Sequence, residues 1–250
     1  MPWYAQPDGA FAISSAEGTG NILMINGFLN ENGYQLAAQA GLIACIANEG
    51  GLNPWQWGYG APPMSGDPMQ SAQGYGLFQF TPWGKYVDNP DAMSLLGYAP
   101  NKSRDTITSG ADPSDGWAQM LFYETLPGWN SEIWRSYWYV GNPLCYDYGI
   151  EPLDQAEYDY YRGIWSGLMS RWGDGSTLTK TDFKSIDIIE DAVFAFLGGY
   201  EGPLVPRYYD TAVDLARNSI WPILSGDTPP DPPDGSITTS ANWIYYLKLL

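Results

Sequence analysis

The sequence has no histidine among its 250 residues, and this absence removes several hydrolase classes at once. Zinc amidases and zinc peptidases use histidine ligands, and triad-type serine and cysteine hydrolases need an imidazole base. Carboxylate chemistry remains, and glycoside hydrolysis is its largest representative. We therefore expect an enzyme that works with carboxyl groups and requires no metal and no cofactor.

Basic residues are also scarce, since 11 Lys and Arg stand against 28 Asp and Glu and give a net charge of −17. Such a surface argues against nucleic acid as a partner, because phosphates are bound by Lys and Arg. The first residues, MPWYAQPDGAFAISS, lack the basic segment and apolar run of a signal peptide. No apolar stretch approaches the length of a membrane span, so no transmembrane segment is expected.

Only two cysteines occur, Cys45 and Cys145, which is too few for a disulfide framework. Cys45 lies in an apolar helical run, and we predict a buried free thiol. With no imidazole and with acidic surroundings, a reactive thiolate is not expected.

Hydrophobic periodicity predicts a mainly α-helical (α+β) fold. We expect an irregular arm (1–17), one folded domain (18–224), a Pro-rich linker SGDTPPDPPDG (225–235) and a C-terminal tail (236–250). Within the domain, residues 52–73 are rich in Gly, Pro, Trp and Met and predict loops with a short hairpin. Helices are predicted over about 21–31, 34–48, 115–126, 130–139, 154–171, 186–197 and 208–218.

The chain is rich in large rings, with 12 Trp and 19 Tyr. Some could line a sugar-binding groove, since a ring face packs well on the C–H face of a pyranose; the alternative is a core that is simply aromatic. The Trp and Tyr residues between 117 and 172 have helical spacing and are predicted to belong to the core.

One glutamate stands out by its surroundings. Glu49 lies at the last turn of the predicted 34–48 helix, in ANEGGLNPWQW, and GYGLFQFTPWGKY follows about 25 residues later. A glycosidase needs a carboxyl group that stays protonated near neutral pH, and an apolar surround raises the pKa in that direction. Such a low-dielectric wall could come from Trp55, Trp57, Leu77 and Phe78.

These two segments resemble a known family. NEGGLNP…GYGLFQFTP is similar to the ESxxNP…GYGLxQWTP pattern of phage tail lysozymes, which are related to goose-type lysozymes and soluble lytic transglycosylases. AFLGGYEGP (195–203) resembles the family's closing AxxFxxxYERP segment. The resemblance covers about residues 18–224. It implies a lysozyme-like domain with two lobes around a groove, the smaller one a loop or hairpin lobe at 50–80.

The resemblance also implies site residues. Glu49 takes the position of the general acid, and a second carboxylate could be Asp67 or Glu201, unless the sugar's own hydroxyl attacks as in a transglycosylase. Gln79 could bind an N-acetyl group. The residues predicted to bind substrate are Tyr75, Gln79, Phe78 and Trp57.

Two positions depart from the family pattern. Gly50 stands where a serine usually follows the glutamate, so a hydrogen bond that orients the carboxyl is expected to be missing. Gly202 stands in place of the arginine of YERP, which leaves Glu201 without that neighbour.

The resemblance implies a virion-associated peptidoglycan glycosidase that cleaves the β-1,4 bond between N-acetylmuramic acid and N-acetylglucosamine. It would be made in the host cytoplasm and carried in the phage tail, where it opens the wall for genome delivery. Tethering to other tail proteins through the C-terminal tail reconciles the acidic surface with an anionic wall. The alternative is a catalytically weakened structural or glycan-binding tail component that keeps the lysozyme fold.

Overall fold

The computed structural model describes residues 3–6, 9–58, 74–80, 114–125, 129, 137–175 and 177–228, with only the backbone at 114 and 115. This part of the chain is mainly helical, which confirms the predicted fold class. The β-structure found in it is one antiparallel bridge between Trp57 and Tyr75. Asp67, the 130–136 part of the predicted 130–139 helix and nearly all of the linker and tail lie outside the described residues.

The α-helices of the described residues are α1 (Ala16–Glu31), α2 (Leu36–Gly50), α3 (Ser114–Thr125), α4 (Pro143–Asp147), α5 (Gln155–Trp172), α6 (Lys180–Ser185), α7 (Ile189–Phe196), α8 (Tyr209–Leu215) and α9 (Trp221–Ser225). Two π-helical segments continue helices, at Leu197–Glu201 after α7 and at Ala216–Ile220 after α8. No helix in the described ranges is long and apolar enough to cross a membrane.

Helix boundaries follow local capping chemistry. α1 begins five residues before its predicted start, because the Ser15 side chain accepts a hydrogen bond from the Gly18 N–H and caps the helix. α5 begins after a capping box in which Asp154 and Glu157 each accept a backbone N–H of the other.

The predicted 186–197 and 208–218 helices are each continued by a π-helical segment. The short helices α4, α6 and α9 lie outside the predicted ranges, because helices of five or six residues carry too little periodicity to be recognised.

Helix α2 is the centre of the domain and packs most extensively against α7. The two backbones come close at Gly41, where an added Cβ would lie 2.8 Å from the Ala192 Cβ and 2.9 Å from the Val193 backbone nitrogen. The glycine at position 41 therefore allows the two helices to pack closely. Cys45 is buried and free, as predicted.

Residues 3–6 and 9–15 precede the first helix and are part of the packed domain. Trp3 is 7% exposed and joins the core. The Asn21 side chain accepts the Tyr4 N–H (2.8 Å) and donates to the Tyr4 carbonyl (2.9 Å). The Asn53 side chain donates to the carbonyls of Gln6 (3.0 Å) and Gly9 (2.9 Å). These paired amide bonds hold the segment against the start of the loop that follows α2.

Candidate active site

Glu49 lies in the last turn of α2, where the sequence places it. Its side chain is exposed to solvent, yet surrounding protein atoms desolvate the carboxyl and raise its pKa above the ordinary 4.5. A hydrogen bond with the Tyr208 hydroxyl acts in the opposite direction. A raised pKa keeps the carboxyl protonated to higher pH, and a protonated carboxyl that solvent can reach is able to donate a proton.

Glu201 is near enough to Glu49 for the two carboxyls to interact electrostatically, although 152 positions (201 minus 49) separate them in sequence. Burial and the charge of Glu49 hold the pKa of Glu201 well above its usual range. The Tyr208 hydroxyl donates a hydrogen bond to Glu201 Oε2. Two candidate carboxylates of the sequence analysis are thus brought together around one tyrosine.

Glu201 is the last residue of the π-helical segment Leu197–Glu201. A π turn adds a residue to the helical ladder and rotates the side chains that follow it, and such turns are frequent at functional sites. Gly198 faces the indole ring of Trp165 and Gly199 that of Trp129, so closely that a Cβ at either position would overlap the ring. Packing by two large rings therefore fixes the segment that carries Glu201.

Tyr208 is held in place by its neighbour. The Arg207 guanidinium pairs with both carboxylate oxygens of Glu157, at 2.7 Å each, and donates to the carbonyls of Glu151 (2.6 Å) and Pro152 (3.1 Å). A bidentate pair with two further backbone acceptors leaves the guanidinium little freedom. The turn before α8 is thereby anchored to the beginning of α5.

The loop 74–80 packs directly on the end of α2. A Cβ at Gly50 would lie 2.6 Å from the Gly76 carbonyl oxygen and 2.5 Å from that of Leu77. Gln119 of α3 ties both motif segments together, because its Oε1 accepts the Leu77 N–H and its Nε2 donates to the Pro54 carbonyl, both at 2.7 Å. Sequence analysis missed Gln119, although an amide inside an apolar helix is the usual sign of a buried polar residue with a fixed partner.

The departures at Gly50 and Gly202 have structural reasons. A serine at position 50 would collide with backbone, so the glycine belongs with the close approach of the loop. Gly202 has φ of 60° and ends the π-helical segment in the left-handed conformation, which an arginine adopts only with strain. With glycine at position 202, Glu201 lacks the arginine of the family pattern. Its carboxyl accepts a hydrogen bond from the Tyr208 hydroxyl instead.

The predicted substrate-binding residues are placed differently from what was expected. Trp57 (1% exposed), Tyr75 (0%) and Phe78 (8%) are buried, with Tyr75 against Trp57 at a ring-centroid distance of 4.5 Å. Buried rings do not offer their faces to a sugar at the surface, and the role of these residues in substrate binding stays a prediction. Phe78 stacks on Tyr123 of α3 at 4.7 Å.

Gln79 is half-buried and adopts a left-handed φ of 43°, which is uncommon for a residue other than glycine. Its Nε2 donates to the Gly76 carbonyl at 2.9 Å, so this amide stabilises its own loop. The predicted bond to an N-acetyl group stays a prediction.

The core is aromatic over most of the chain, but the prediction that the rings between 117 and 172 are core residues is wrong in part. Trp138, Tyr161 and Trp165 are buried as predicted. Exposed rings in the same range are Trp117, Tyr139, Tyr146 and Tyr148. Helical spacing misled here because Tyr139, Tyr146 and Tyr148 lie on the short α4 and its flanking turns, which have an open side.

No group of three or more His, Cys, Asp and Glu that could hold a metal ion occurs among the residues with described positions. The chemistry that the side chains around Glu49 can perform is proton donation and acceptance between oxygen atoms.

Comparison with known families adds a finding that agrees with this geometry. Residues 21–123 match the family model described as phage tail lysozyme. The matched region contains Glu49, the loop 74–80 and Gln119, whereas Glu201 and Tyr208 lie beyond it. No curated protein matches the chain. The chain is thus similar to phage tail lysozymes over residues 21–123.

Proposed function

We propose that the chain is a peptidoglycan-cleaving glycosidase with Glu49 as its general acid. The observation that carries this proposal is a carboxyl at the end of α2 that solvent reaches while desolvation raises its pKa. The buried rings of Trp57, Tyr75 and Phe78 supply an apolar wall in the loops next to it. Together with the family of residues 21–123, this setting supports proton donation to a glycosidic oxygen.

The bond that we propose is cleaved is the β-1,4 linkage between N-acetylmuramic acid and N-acetylglucosamine. Protonation of the leaving oxygen by Glu49 gives an oxocarbenium-like transition state, which water or a sugar hydroxyl then attacks. Water gives a reducing end and the muramic acid's own 6-hydroxyl gives a 1,6-anhydro end. Asp67 and Glu201 are the candidates for a carboxylate that would activate water.

We propose that the enzyme acts from the phage tail, where it opens the cell wall for genome delivery. The net charge of −17 disfavours diffusion to an anionic wall, and attachment to a tail removes that need. The apolar residues of the 236–250 segment are the proposed attachment to another tail protein. A protein shortened before residue 236 that still assembles into particles would count against this attachment.

A second candidate is a tail component that binds glycan or serves as structure without cleaving. The glycine at position 50, where the family pattern has a serine after the glutamate, favours it, because a side chain that could orient the acid is missing.

Digestion of purified peptidoglycan by the wild type and by Glu49→Gln separates the two candidates. We expect the substitution to lower the rate about 10²- to 10⁴-fold, the range for loss of a general acid or base. Glu31→Gln is the matched control, since Glu31 also lies in the last turn of a helix and is exposed.

Equal clearing by wild type and Glu49→Gln would exclude Glu49 as the acid. Absence of clearing by all three proteins, with glycan binding retained, would support the binding component. Mass spectrometry of the products distinguishes reducing from 1,6-anhydro ends.

A further inference from the structure

Exposed apolar side chains are concentrated in one short stretch of the described residues. Of the six large hydrophobic side chains that are exposed there, five lie between positions 139 and 148. They are Tyr139 (39% exposed), Val140 (45%), Leu144 (42%), Tyr146 (68%) and Tyr148 (74%). A concentration of exposed apolar side chains on a folded domain usually marks a surface that binds a partner. Its three rings, Tyr139, Tyr146 and Tyr148, are called the tyrosine surface below.

The backbone under the tyrosine surface is closed by hydrogen bonds. The Asn142 side chain is buried and accepts the Leu144 N–H at 3.0 Å, which caps α4. After α4, the Ile150 N–H donates to the Cys145 carbonyl at 2.8 Å and closes the turn. Because Asn142 and Cys145 are buried and the backbone is fixed, the rings of this stretch are held outward. Little conformational entropy is then lost when a ligand packs on them.

Both ends of this stretch are bound to the turn that follows Glu201. Trp138 Nε1 donates to the Pro203 carbonyl at 2.7 Å. At the other end, the Arg207 guanidinium donates to the Glu151 carbonyl at 2.6 Å. The tyrosine surface is therefore fixed to the segment of chain that leaves the candidate active site.

The charge of the stretch selects among classes of ligand. Residues 137–153 contain no Lys or Arg, and their acidic residues are Asp147 and Glu151. The nearby Arg207 is paired with Glu157. Anionic lipid headgroups and nucleic acids are disfavoured, because both are bound through basic side chains. A glycan instead offers uncharged sugar rings, whose C–H faces pack on tyrosine and whose hydroxyls donate hydrogen bonds.

Asp147 favours a glycan over another protein as the occupant. Its exposed carboxylate lies between the two most exposed rings, Tyr146 and Tyr148. A protein packed on both rings would remove water from this carboxylate, and charged residues are depleted in the cores of protein interfaces. Sugar hydroxyls can replace that water with hydrogen bonds while the rings remain in contact with the sugar faces.

We propose that the tyrosine surface binds the glycan strand of peptidoglycan outside the cleavage site, a role that rests on peptidoglycan being the substrate in the proposed function. The rings of Tyr146 and Tyr148 pack on sugar faces, and Asp147 accepts hydrogen bonds from sugar hydroxyls. A strand held at two places dissociates more slowly, because both contacts must open together. The surface keeps the enzyme on an insoluble polymer between one cut and the next.

Cosedimentation with purified peptidoglycan sacculi, free of teichoic acid, tests the proposal in the full chain carrying Glu49→Gln to slow cutting. We expect the pair Tyr146→Ala and Tyr148→Ala to weaken binding about 5-fold or more, since one aromatic contact contributes about 2- to 10-fold. The matched pair Tyr146→Phe and Tyr148→Phe keeps both rings and should bind within about 2-fold of the parent. Trp117→Ala removes an exposed ring from α3 and should leave binding unchanged.

A soluble probe separates recognition of the sugars from recognition of the stem peptides. A β-1,4-linked oligomer of N-acetylglucosamine carries no peptide, and its addition should shift the ring NMR signals of Tyr146 and Tyr148. On insoluble peptidoglycan, the alanine pair in an otherwise wild-type chain should raise KM and leave kcat unchanged, because neither ring belongs to the groups around Glu49.

Cosedimentation of the alanine pair equal to that of the parent would overturn the proposal, as would ring signals that do not respond to the oligomer. An alanine pair that still binds glycan but no longer enters phage particles would also overturn it and would assign the surface to another tail protein. A wild type that binds sacculi through both rings but cleaves no peptidoglycan would reject the proposed function, while the glycan-binding surface stands.

Discussion

Substitution of Gly50 by alanine tests the contact between α2 and the loop 74–80. The added Cβ would lie 2.5 Å from the Leu77 carbonyl oxygen and 2.6 Å from that of Gly76, and both are backbone atoms. Reaching even a tight separation of 3.0 Å requires a shift of 0.5 Å (3.0 minus 2.5) in a loop that Gln119 holds. Overpacking of this kind costs about 1–3 kcal/mol.

Helix propensity acts in the opposite direction, because alanine is better than glycine by about 1 kcal/mol in a helix interior and by less in a last turn. We therefore expect a net loss of about 1–2 kcal/mol. Urea denaturation measures it, and the midpoint of thermal unfolding should fall by roughly 2–8 °C. Activity on peptidoglycan should fall as well, because the displaced loop adjoins Glu49.

Gly27→Ala in α1 is the matched control, since nothing lies within 4 Å of the added Cβ and the residue is exposed. It should stabilise the protein by up to about 1 kcal/mol. If Gly50→Ala is as stable as Gly27→Ala, the loop does not rest on the helix end as described, and the account of Gly50 fails.

Three further perturbations follow from the site. Gly198→Ala should cost about 1–3 kcal/mol in urea denaturation, because its Cβ overlaps the Trp165 ring; a neutral result would contradict that packing. Arg207→Lys should cost about 1–2 kcal/mol and lower kcat, since lysine cannot pair with Glu157 through two nitrogens; unchanged kcat would argue against a role in placing the tyrosine. Raised carboxyl pKa values mean that the folded state binds more protons than the unfolded state above pH 4.5, so stability falls as pH rises. Removal of one such group in Glu201→Gln should therefore give a thermal midpoint that exceeds the wild type by a margin growing with pH, and a constant margin would refute the coupling.

The sequence was sufficient for the helical class and for the position of Glu49 in the last turn of α2. Hydrophobic periodicity, ended by the pair Gly50-Gly51, indicates α2. The absence of histidine excludes imidazole chemistry and leaves carboxyl groups as the candidate catalytic groups. Helix ends were less predictable, because the Ser15 cap and the π-helical segments depend on single hydrogen bonds that hydrophobic patterns do not record.

The arrangement around Glu49 could not be predicted from spacing alone. Tyr208 comes near Glu49 because α7 packs along α2 and the chain then turns back after its π-helical segment. Burial of Trp57 and Tyr75 was also beyond the sequence, since an aromatic ring in a glycine-rich loop fits a groove and an interior wall equally well.

The paired amides of Asn21 and Asn53 have a consequence for how this protein can be cut and fused. They bind Tyr4 and Gln6, which precede α1, to α1 itself and to the loop that follows α2. The Trp3 ring packs against Gly116 of α3. The packed domain therefore includes residues upstream of the family match, which begins at residue 21. A fragment trimmed to residues 18–224 would lose those bonds and expose the cavity that Trp3 leaves, so a stable fragment needs to retain the residues from Trp3 onward.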